Sequence, residues 1–106
     1  MRFLPITKYH ISNKIKFGWN VRVGLGTVIE DEVEIGDNVY IGHNCVLRKG
    51  VKIGNGANIE HCVVIERGVV IGDGANISSQ CYLGKGVIVK EGCKVRPNCV
   101  LEDPRR

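Results

Sequence analysis

Residues 35–46, IGDNVYIGHNCV, decide the fold of this protein, because they contain the same six-residue unit twice in succession. Each unit opens with Ile and Gly, carries Asn at its fourth place and has an apolar residue at its fifth. Stepping by six from Ile11 to Leu101 meets only large apolar residues, and no insertion or deletion breaks the phase. A short fixed period of this kind is typical of a solenoid, in which each repeat packs only against its neighbours.

The glycines follow the same phase. All 14 glycines fall at the second or the fourth place of a unit. Four asparagines share the fourth place: Asn20, Asn38, Asn44 and Asn98. Gly and Asn are the residues that adopt a left-handed backbone at low cost. Each unit is therefore predicted to be a short strand followed by a tight turn with one left-handed residue.

A longer period is visible at the sixth place of the units. In every third unit this place is apolar or aromatic, and we call these residues the apolar stripe: Val28, Val46, Val64, Tyr82 and Val100. Three units therefore make one coil of 18 residues, and residues 18 apart are expected to stack in neighbouring parallel strands, about 4.8 Å apart. The sequence predicts an all-β solenoid of about five coils over residues 11–103, with a cap segment at 1–10 and a tail at 104–106.

The repeat resembles that of a known family. Units such as IGDNVY, IGHNCV, IGNGAN and IGDGAN are similar to those of the hexapeptide-repeat family, and the similarity covers residues 11–101. Members of this family fold as left-handed parallel β-helices of triangular section, so the resemblance implies that fold here. The handedness follows from the resemblance alone, because the general rule for crossovers between parallel strands favours the right-handed form.

Composition and charge limit the classes of function. A chain of 106 residues is long enough for one domain. Its net charge of +4 is too small to argue by itself for a nucleic-acid or membrane partner. No apolar run approaches the length of a membrane span. The first ten residues, MRFLPITKYH, form a segment that is too short and too polar for the apolar region of a secretory signal. We therefore expect a cytoplasmic protein without nucleic-acid or membrane partners.

The five cysteines predict neither a disulfide framework nor a zinc site, because their number is odd and none forms a Cys-x-x-Cys pair. Four of them occupy the fifth place, which is expected to point inward: Cys45, Cys81, Cys93 and Cys99. Cys is a good small apolar residue for a core, so we expect these four to be buried. Cys62 instead replaces a turn residue within IEHCVV, residues 59–64, where the repeat departs from its pattern.

The corner before the apolar stripe carries the least regular residues. His43 and His61 stand at its third place, 18 residues apart, and are therefore expected to stack directly. Asn44, Ser79 and Gln80 are predicted to line the same corner and to contact a substrate. The adjoining apolar stripe would form a contiguous exposed patch on a monomer, and such patches usually mark interfaces.

In the resembled family, acyltransferases are trimers of parallel prisms, and a histidine in the cleft between prisms commonly acts as general base on an amine or hydroxyl. The resemblance thus implies a homotrimer packed through the apolar stripe, with His61 as the first candidate for the base and His43 as the second. An imidazole suits this role because it titrates near neutral pH. The stretch IEH is similar to the surroundings of the base in sugar N-acetyltransferases, where Asp usually follows; here Cys62 follows.

The end of the chain, KEGCKVRPNCVLEDPRR, is similar to a segment of nucleotide-sugar N-acetyltransferases, with Arg96 in place of a glycine. This second resemblance implies acetyl-CoA as co-substrate and a sugar or nucleotide sugar as acceptor.

A second candidate site is cationic. Lys49, Arg67 and Lys85 occupy the third place of another corner, one coil apart. Three like charges stacked at strand spacing are mildly unfavourable unless something anionic binds there, and the phosphates of coenzyme A would suit this position. Alternatively, the side chains splay apart in water and are neutralised by Glu66 and Glu91.

Two other functions stay open. A chain that is almost pure solenoid could be a non-catalytic scaffold or assembly module. The gamma-class carbonic anhydrases share this fold and hold zinc through three histidines, and this chain has His10, His43 and His61. Because His10 is expected to precede the repeat and to lie out of phase with it, no metal site is predicted.

Overall fold

The computed structural model describes residues 10–11 and 14–103. These residues form a left-handed parallel β-helix, in which all regular elements are strands and none is an α-helix. Each strand has two residues. The strands are β1 (His10–Ile11), β2 (Lys16–Phe17), β3 (Arg22–Val23), β4 (Val28–Ile29), β5 (Glu34–Ile35), β6 (Tyr40–Ile41), β7 (Val46–Leu47), β8 (Lys52–Ile53), β9 (Asn58–Ile59), β10 (Val64–Ile65), β11 (Val70–Ile71), β12 (Asn76–Ile77), β13 (Tyr82–Leu83), β14 (Ile88–Val89), β15 (Lys94–Val95) and β16 (Val100–Leu101).

The strands form three parallel sheets, one on each side of a triangular prism. Sheet A has the order β1-β4-β7-β10-β13-β16, sheet B the order β2-β5-β8-β11-β14, and sheet C the order β3-β6-β9-β12-β15. The register pairs Val64 with Val46 on one side and with Tyr82 on the other. Neighbouring strands are thus one 18-residue coil apart, which confirms the predicted coil length.

The core is a column of aliphatic side chains inside the prism. It is built from the first and fifth places of the units, and the largest fully buried residues are Ile29, Ile41, Leu47, Ile59, Ile65, Ile71, Ile77 and Leu83. Among the residues that the structure describes, Thr27 is the buried polar exception. Its hydroxyl donates to the Gly42 carbonyl at 2.7 Å and accepts from the Cys45 N–H at 3.1 Å, so burial leaves the group hydrogen-bonded.

The turns have the predicted left-handed residue. Every fourth place from Asn20 to Asn98 has a positive φ, between 57° and 77°. Glycine occupies half of these places, and the others hold Asn, Glu32, Cys62 or Gln80. Cys62 lies at φ 60°, a conformation that costs a residue with a Cβ more than it costs Gly or Asn.

Two expectations about individual residues were wrong. His10 pairs in register with Val28, so it lies in phase with the repeat, and β1 begins one residue before the predicted start of the solenoid at residue 11. Cys93 is exposed and Cys99 is only half-buried, although Cys45 and Cys81 are buried as expected. Both belong to the last coil, and within residues 10–11 and 14–103 no further coil stacks over it.

Candidate functional site

The corner between sheets C and A, here called the histidine corner, is formed by the residues between β3 and β4, β6 and β7, β9 and β10, β12 and β13, and β15 and β16. His43 and His61 are exposed there and stack as predicted, with ring centroids 5.0 Å apart and an interplanar angle of 10°. The stack follows directly from the register of sheets C and A, which places residues 18 apart above one another.

Each histidine ring accepts a hydrogen bond from the backbone of the preceding coil. The Leu25 N–H donates to Nδ1 of His43 at 2.7 Å, and the His43 N–H donates to Nδ1 of His61 at 2.8 Å. The His61 N–H donates to Oγ of Ser79 at 3.1 Å, and this hydroxyl donates to Oε1 of Glu60 at 3.4 Å. The three third-place residues therefore form a continuous ladder that runs along the prism axis.

Glycines make room for the two rings. A Cβ on Gly24 would lie 2.6 Å from Nδ1 of His43, and a Cβ on Gly42 would lie 2.4 Å from Nδ1 of His61. Each glycine precedes the histidine that covers it by one coil and one residue. The same spacing joins Gly36 to Asn55 at another corner. This pairing is a signal in the sequence that could have predicted the ladder, which the six-residue period alone does not reveal.

A second ladder of the same design runs along the corner between sheets B and C. The N–H groups of Trp19, Asp37 and Asn55 donate to carboxylate or amide oxygens one coil further on, which belong to Asp37, Asn55 and Asp73, at 2.7–2.8 Å. The imidazoles of the histidine corner therefore occupy a position that Asp and Asn fill elsewhere in the same chain. One role of His43 and His61 is to satisfy a backbone N–H.

The ladder fixes where a neutral ring carries its proton. Because Nδ1 of each histidine accepts an N–H, it has no proton, and the neutral imidazole carries its hydrogen on Nε2. Within the described residues neither Nε2 makes a hydrogen bond, so both are available to a ligand. In this geometry the rings offer hydrogen-bond donors to the outside. Proton removal by His61 would need the ring to leave the ladder first.

The predicted substrate-contacting residues lie at the same corner. Asn44 and Gln80 are exposed at left-handed turn positions, with φ of 57° and 64°. Ser79 is half-buried, and its hydroxyl ends the ladder. The structure thus brings His43, His61, Asn44, Ser79 and Gln80 together on one edge of the prism.

Glu60 also belongs to this corner, although the six-residue period does not point to it. It occupies a second place, where glycine is usual, and its half-buried carboxylate lies beside the end of the ladder. The signal that could have found it is this replacement of glycine immediately before a histidine.

The corner between sheets A and B holds the predicted cations. Lys49, Arg67 and Lys85 are exposed, and none of them forms an ion pair within the described part of the chain. Arg48, their neighbour, is engaged differently. Its guanidinium pairs with Glu30 at 2.9 Å and with Glu66 at 3.7 Å.

The apolar stripe is less exposed than predicted. Val28, Val46, Val64 and Tyr82 are half-buried, and Val100 is 64% exposed. The Tyr82 hydroxyl donates to Glu66 at 3.0 Å, which fixes its ring at the edge of the face.

The thiols inside the prism are held in their neutral form. Burial raises the pKa of Cys45 and of Cys81 above the ordinary value of 9.0, since a thiolate would lose its hydration there. Neither thiol is therefore suited to act as a nucleophile.

A shallow groove of about 490 Å³ lies on the outer face of sheet B. Lys16, Glu34, Lys52 and Val70 form its floor. None of the residues predicted for a site lines this groove.

No group of three or more metal-ligating side chains occurs among the described residues. In the same part of the chain no helix is long and apolar enough to cross a bilayer.

Comparisons with known proteins agree with the fold. The family model described as the GMPPB C-terminal domain matches residues 6–104. A mutant of perosamine N-acetyltransferase from Caulobacter crescentus, solved with CoA and GDP-perosamine, is 23% identical over 92% of this chain and 48% of its own, with a TM-score of 0.72. WeeI from Acinetobacter baumannii AYE is 25% identical over 90% of this chain and 50% of its own, with a TM-score of 0.57.

A hexapeptide transferase family protein from Anaplasma phagocytophilum is 20% identical over 89% of this chain and 73% of its own, with a TM-score of 0.54. The chain spans about half the length of the Caulobacter and Acinetobacter structures. No curated protein matches it in sequence.

Proposed function

The chain belongs to the family described as the GMPPB C-terminal domain, and on this fold we propose that it is an acetyl-CoA-dependent acyltransferase acting on an amino or hydroxyl group of a sugar or nucleotide sugar. The observation that carries the proposal is the stacked pair His43 and His61, which stands at the corner before the apolar stripe and whose Nε2 atoms make no hydrogen bond within the described residues. A perosamine N-acetyltransferase shares the fold, which makes the activity compatible with a prism of this kind.

In this proposal the histidine corner holds the acceptor next to the thioester. Asn44 and Gln80 present exposed amides that can bind sugar hydroxyls. Ser79 ends the ladder by accepting the backbone N–H of His61, and the His43 N–H orients the His61 ring through Nδ1. His61, with His43 as the second candidate, acts on the reacting groups, either as the base after its ring has left the ladder or as a donor within it.

The acyl donor is proposed to bind between the two corners that bound sheet A. Lys49, Arg67 and Lys85 would hold the phosphates of coenzyme A, because three stacked cations without an ion pair favour an anion between them. The cations lie six residues beyond the histidine corner along the chain, and six residues span at most about 20 Å. An extended donor on this side of the prism could therefore contact both corners.

A homotrimer completes the proposal. Packing through the apolar stripe would cover Val100 and the half-buried valines, and would form the cleft in which the donor lies. Val64→Glu places a charge in that face and should lower the mass in solution to that of a monomer. An unchanged mass would show that the apolar stripe is not the interface.

All five cysteines are free thiols, which is consistent with a reducing compartment, and we place the protein in the cytoplasm.

Calorimetric titration with acetyl-CoA tests the function, provided that the mass in solution is measured on the same sample. We expect one donor bound per chain. Lys85→Ala should weaken binding of coenzyme A, because it removes one of the three cations proposed to hold the phosphates. Absence of binding at millimolar acetyl-CoA would refute the acyltransferase function.

One observation favours a second function, a non-catalytic scaffold or assembly module. The histidines fill a ladder position that Asp37, Asn55 and Asp73 fill at the neighbouring corner, so their presence has a sufficient structural reason. A module of this kind would bind no acyl donor and would keep its assembly in His61→Asn.

A further inference from the structure

The geometry of the histidine corner bears on which group removes the proton from the acceptor. Nδ1 of each ring accepts a backbone N–H, at 2.7 and 2.8 Å, so both neutral rings keep their hydrogen on Nε2. A ring in this state has no free lone pair facing the solvent. It can donate to an oxygen, but it cannot take a proton from an amine or a hydroxyl without breaking the ladder.

Glu60 is the acid that the hydrogen bonds of this corner connect to His61 through Ser79. Its Oε1 accepts the Ser79 hydroxyl at 3.4 Å, and Ser79 in turn accepts the His61 N–H. Oε2 makes no hydrogen bond within the described residues. The carboxylate is half-buried, and its neighbours at the second place of this corner are Gly24, Gly42, Ser78 and Arg96. Glu60 is thus the one carboxylate among the second, third and fourth places described for this corner.

The spacing of the rings shows how two donors could divide their tasks. The ring centroids are 5.0 Å apart and the planes are nearly parallel, so the two Nε2–H groups point in similar directions. A single oxygen cannot be well aligned with both, because it would have to lie far off the axis of each N–H. One ring is therefore available for the acyl carbonyl and the other for an oxygen of the acceptor.

We propose that Glu60 accepts the proton of the attacking group, that Nε2–H of His61 donates to the acyl carbonyl oxygen, and that the acceptor is consequently an amine. This inference rests on the proposed acyl transfer. A sugar hydroxyl needs a strong general base in order to attack, whereas the free form of an amine attacks a thioester without one, and a carboxylate can hold an ammonium group and take up its proton.

The step balances without any further reactant. The amine nitrogen attacks the thioester carbon, the new C–N bond forms, and the C–S bond breaks with its electron pair moving to sulfur. The proton released from nitrogen goes to Glu60 and then to the thiolate of coenzyme A or to solvent. While the carbonyl oxygen carries negative charge, the His61 donor stabilises it.

The first test needs no substrate. The ¹⁵N chemical shifts of the histidine rings, recorded on the whole chain at neutral pH, distinguish a protonated from an unprotonated Nδ1. We expect Nδ1 of both His43 and His61 to be unprotonated and Nε2 to carry the hydrogen. The opposite tautomer at His61 overturns the inference, whatever the activity of the protein.

The second test uses acetyl-CoA with matched nucleotide-linked amino sugars and their hydroxyl counterparts. We expect turnover with the amines alone. Glu60→Gln should lower kcat/KM by about 10²-fold. His61→Asn, which keeps an acceptor for the His43 N–H, should lower kcat by about 10²-fold or more with little change in KM for the acyl donor. Asn55→Ala, which opens the ladder at the other corner, is the control for stability and should leave kcat unchanged.

The outcomes separate the inference from the function on which it rests. Equal turnover of the hydroxyl substrates, or full activity in Glu60→Gln, overturns the inference and leaves the acyltransferase standing. Failure of the wild-type chain to bind acetyl-CoA overturns both.

Discussion

Replacement of His61 tests whether the ladder of the histidine corner stabilises the prism. His61→Ala removes the acceptor of the His43 N–H, at 2.8 Å, and the ring that stacks on His43 at 5.0 Å. A hydrogen bond contributes about 0.5–1.5 kcal/mol net, and an aromatic pair contributes a similar amount. Because both residues are exposed, water replaces part of each contact. We therefore expect a loss of about 1 kcal/mol in the free energy of unfolding.

His61→Asn is the matched variant, because Asn55 fills the equivalent place at the other corner and accepts the Asp37 N–H at 2.8 Å. It keeps the hydrogen bond and loses only the stack, so it should cost roughly half as much as His61→Ala. In a domain of this size 1 kcal/mol corresponds to about 4–8 °C in the midpoint of thermal unfolding.

The measurement is urea and thermal unfolding of the wild type, His61→Ala and His61→Asn at one fixed protein concentration, since association would make the midpoint depend on concentration. Asn55→His provides the reciprocal change, and Gly36 leaves it the room that Gly42 leaves His61. Identical losses in His61→Ala and His61→Asn, or no loss in either, would refute the claim that the acceptor atom is what stabilises this corner.

Three further predictions concern single residues. Cys62→Asn should raise the free energy of unfolding by about 0.5–1 kcal/mol, because Asn adopts φ near 60° at lower cost than Cys; a lower thermal midpoint would contradict this. Thr27→Val should cost about 1–2 kcal/mol in urea unfolding, since the two buried hydrogen bonds to the Gly42 carbonyl and the Cys45 N–H are lost; an unchanged midpoint would count against it. Burial raises the pKa of Cys45 and Cys81 above 9.0, so the native fold retains protons that the unfolded chain releases. The free energy of unfolding should therefore be steady below about pH 9 and fall above it, and the fall should be less steep in Cys45→Ala than in the wild type. In the native protein, thiol labelling should be confined to exposed cysteines such as Cys62.

Much of the fold could be predicted from the sequence because the repeat is regular. A six-residue period gives the direction of each side chain, and the residues at the sixth place give the coil of 18, as the pairing of Val46 with Val64 confirms. The left-handed turns were predictable from Gly and Asn, and the same rule then holds at Glu32 and Cys62, where the residue type alone would not have indicated it.

The details of the candidate site were harder to predict. The stacking of His43 on His61 follows from the period, but the hydrogen bonds of their rings do not, because they depend on how closely each ring approaches the backbone of the preceding coil. That approach is possible only where a glycine lies beneath the ring, as Gly42 does. The exposure of Cys93 at the end of the prism was not predicted either. Cys93 keeps its phase in the repeat, but no coil is stacked over it in the described residues.

The fixed coil length restricts how this protein can change its length. Adding or deleting 18 residues would add or remove one strand in each sheet and would leave every corner in line, as the register of Val46, Val64 and Tyr82 requires. A change of six residues between His43 and His61 would instead rotate all later units by one side of the triangle and would move His61 to a different edge from His43. Viable length variants should therefore differ by whole coils. A row of side chains on one edge of the prism can therefore be lengthened or shortened by whole coils, and its members stay aligned because each coil has 18 residues.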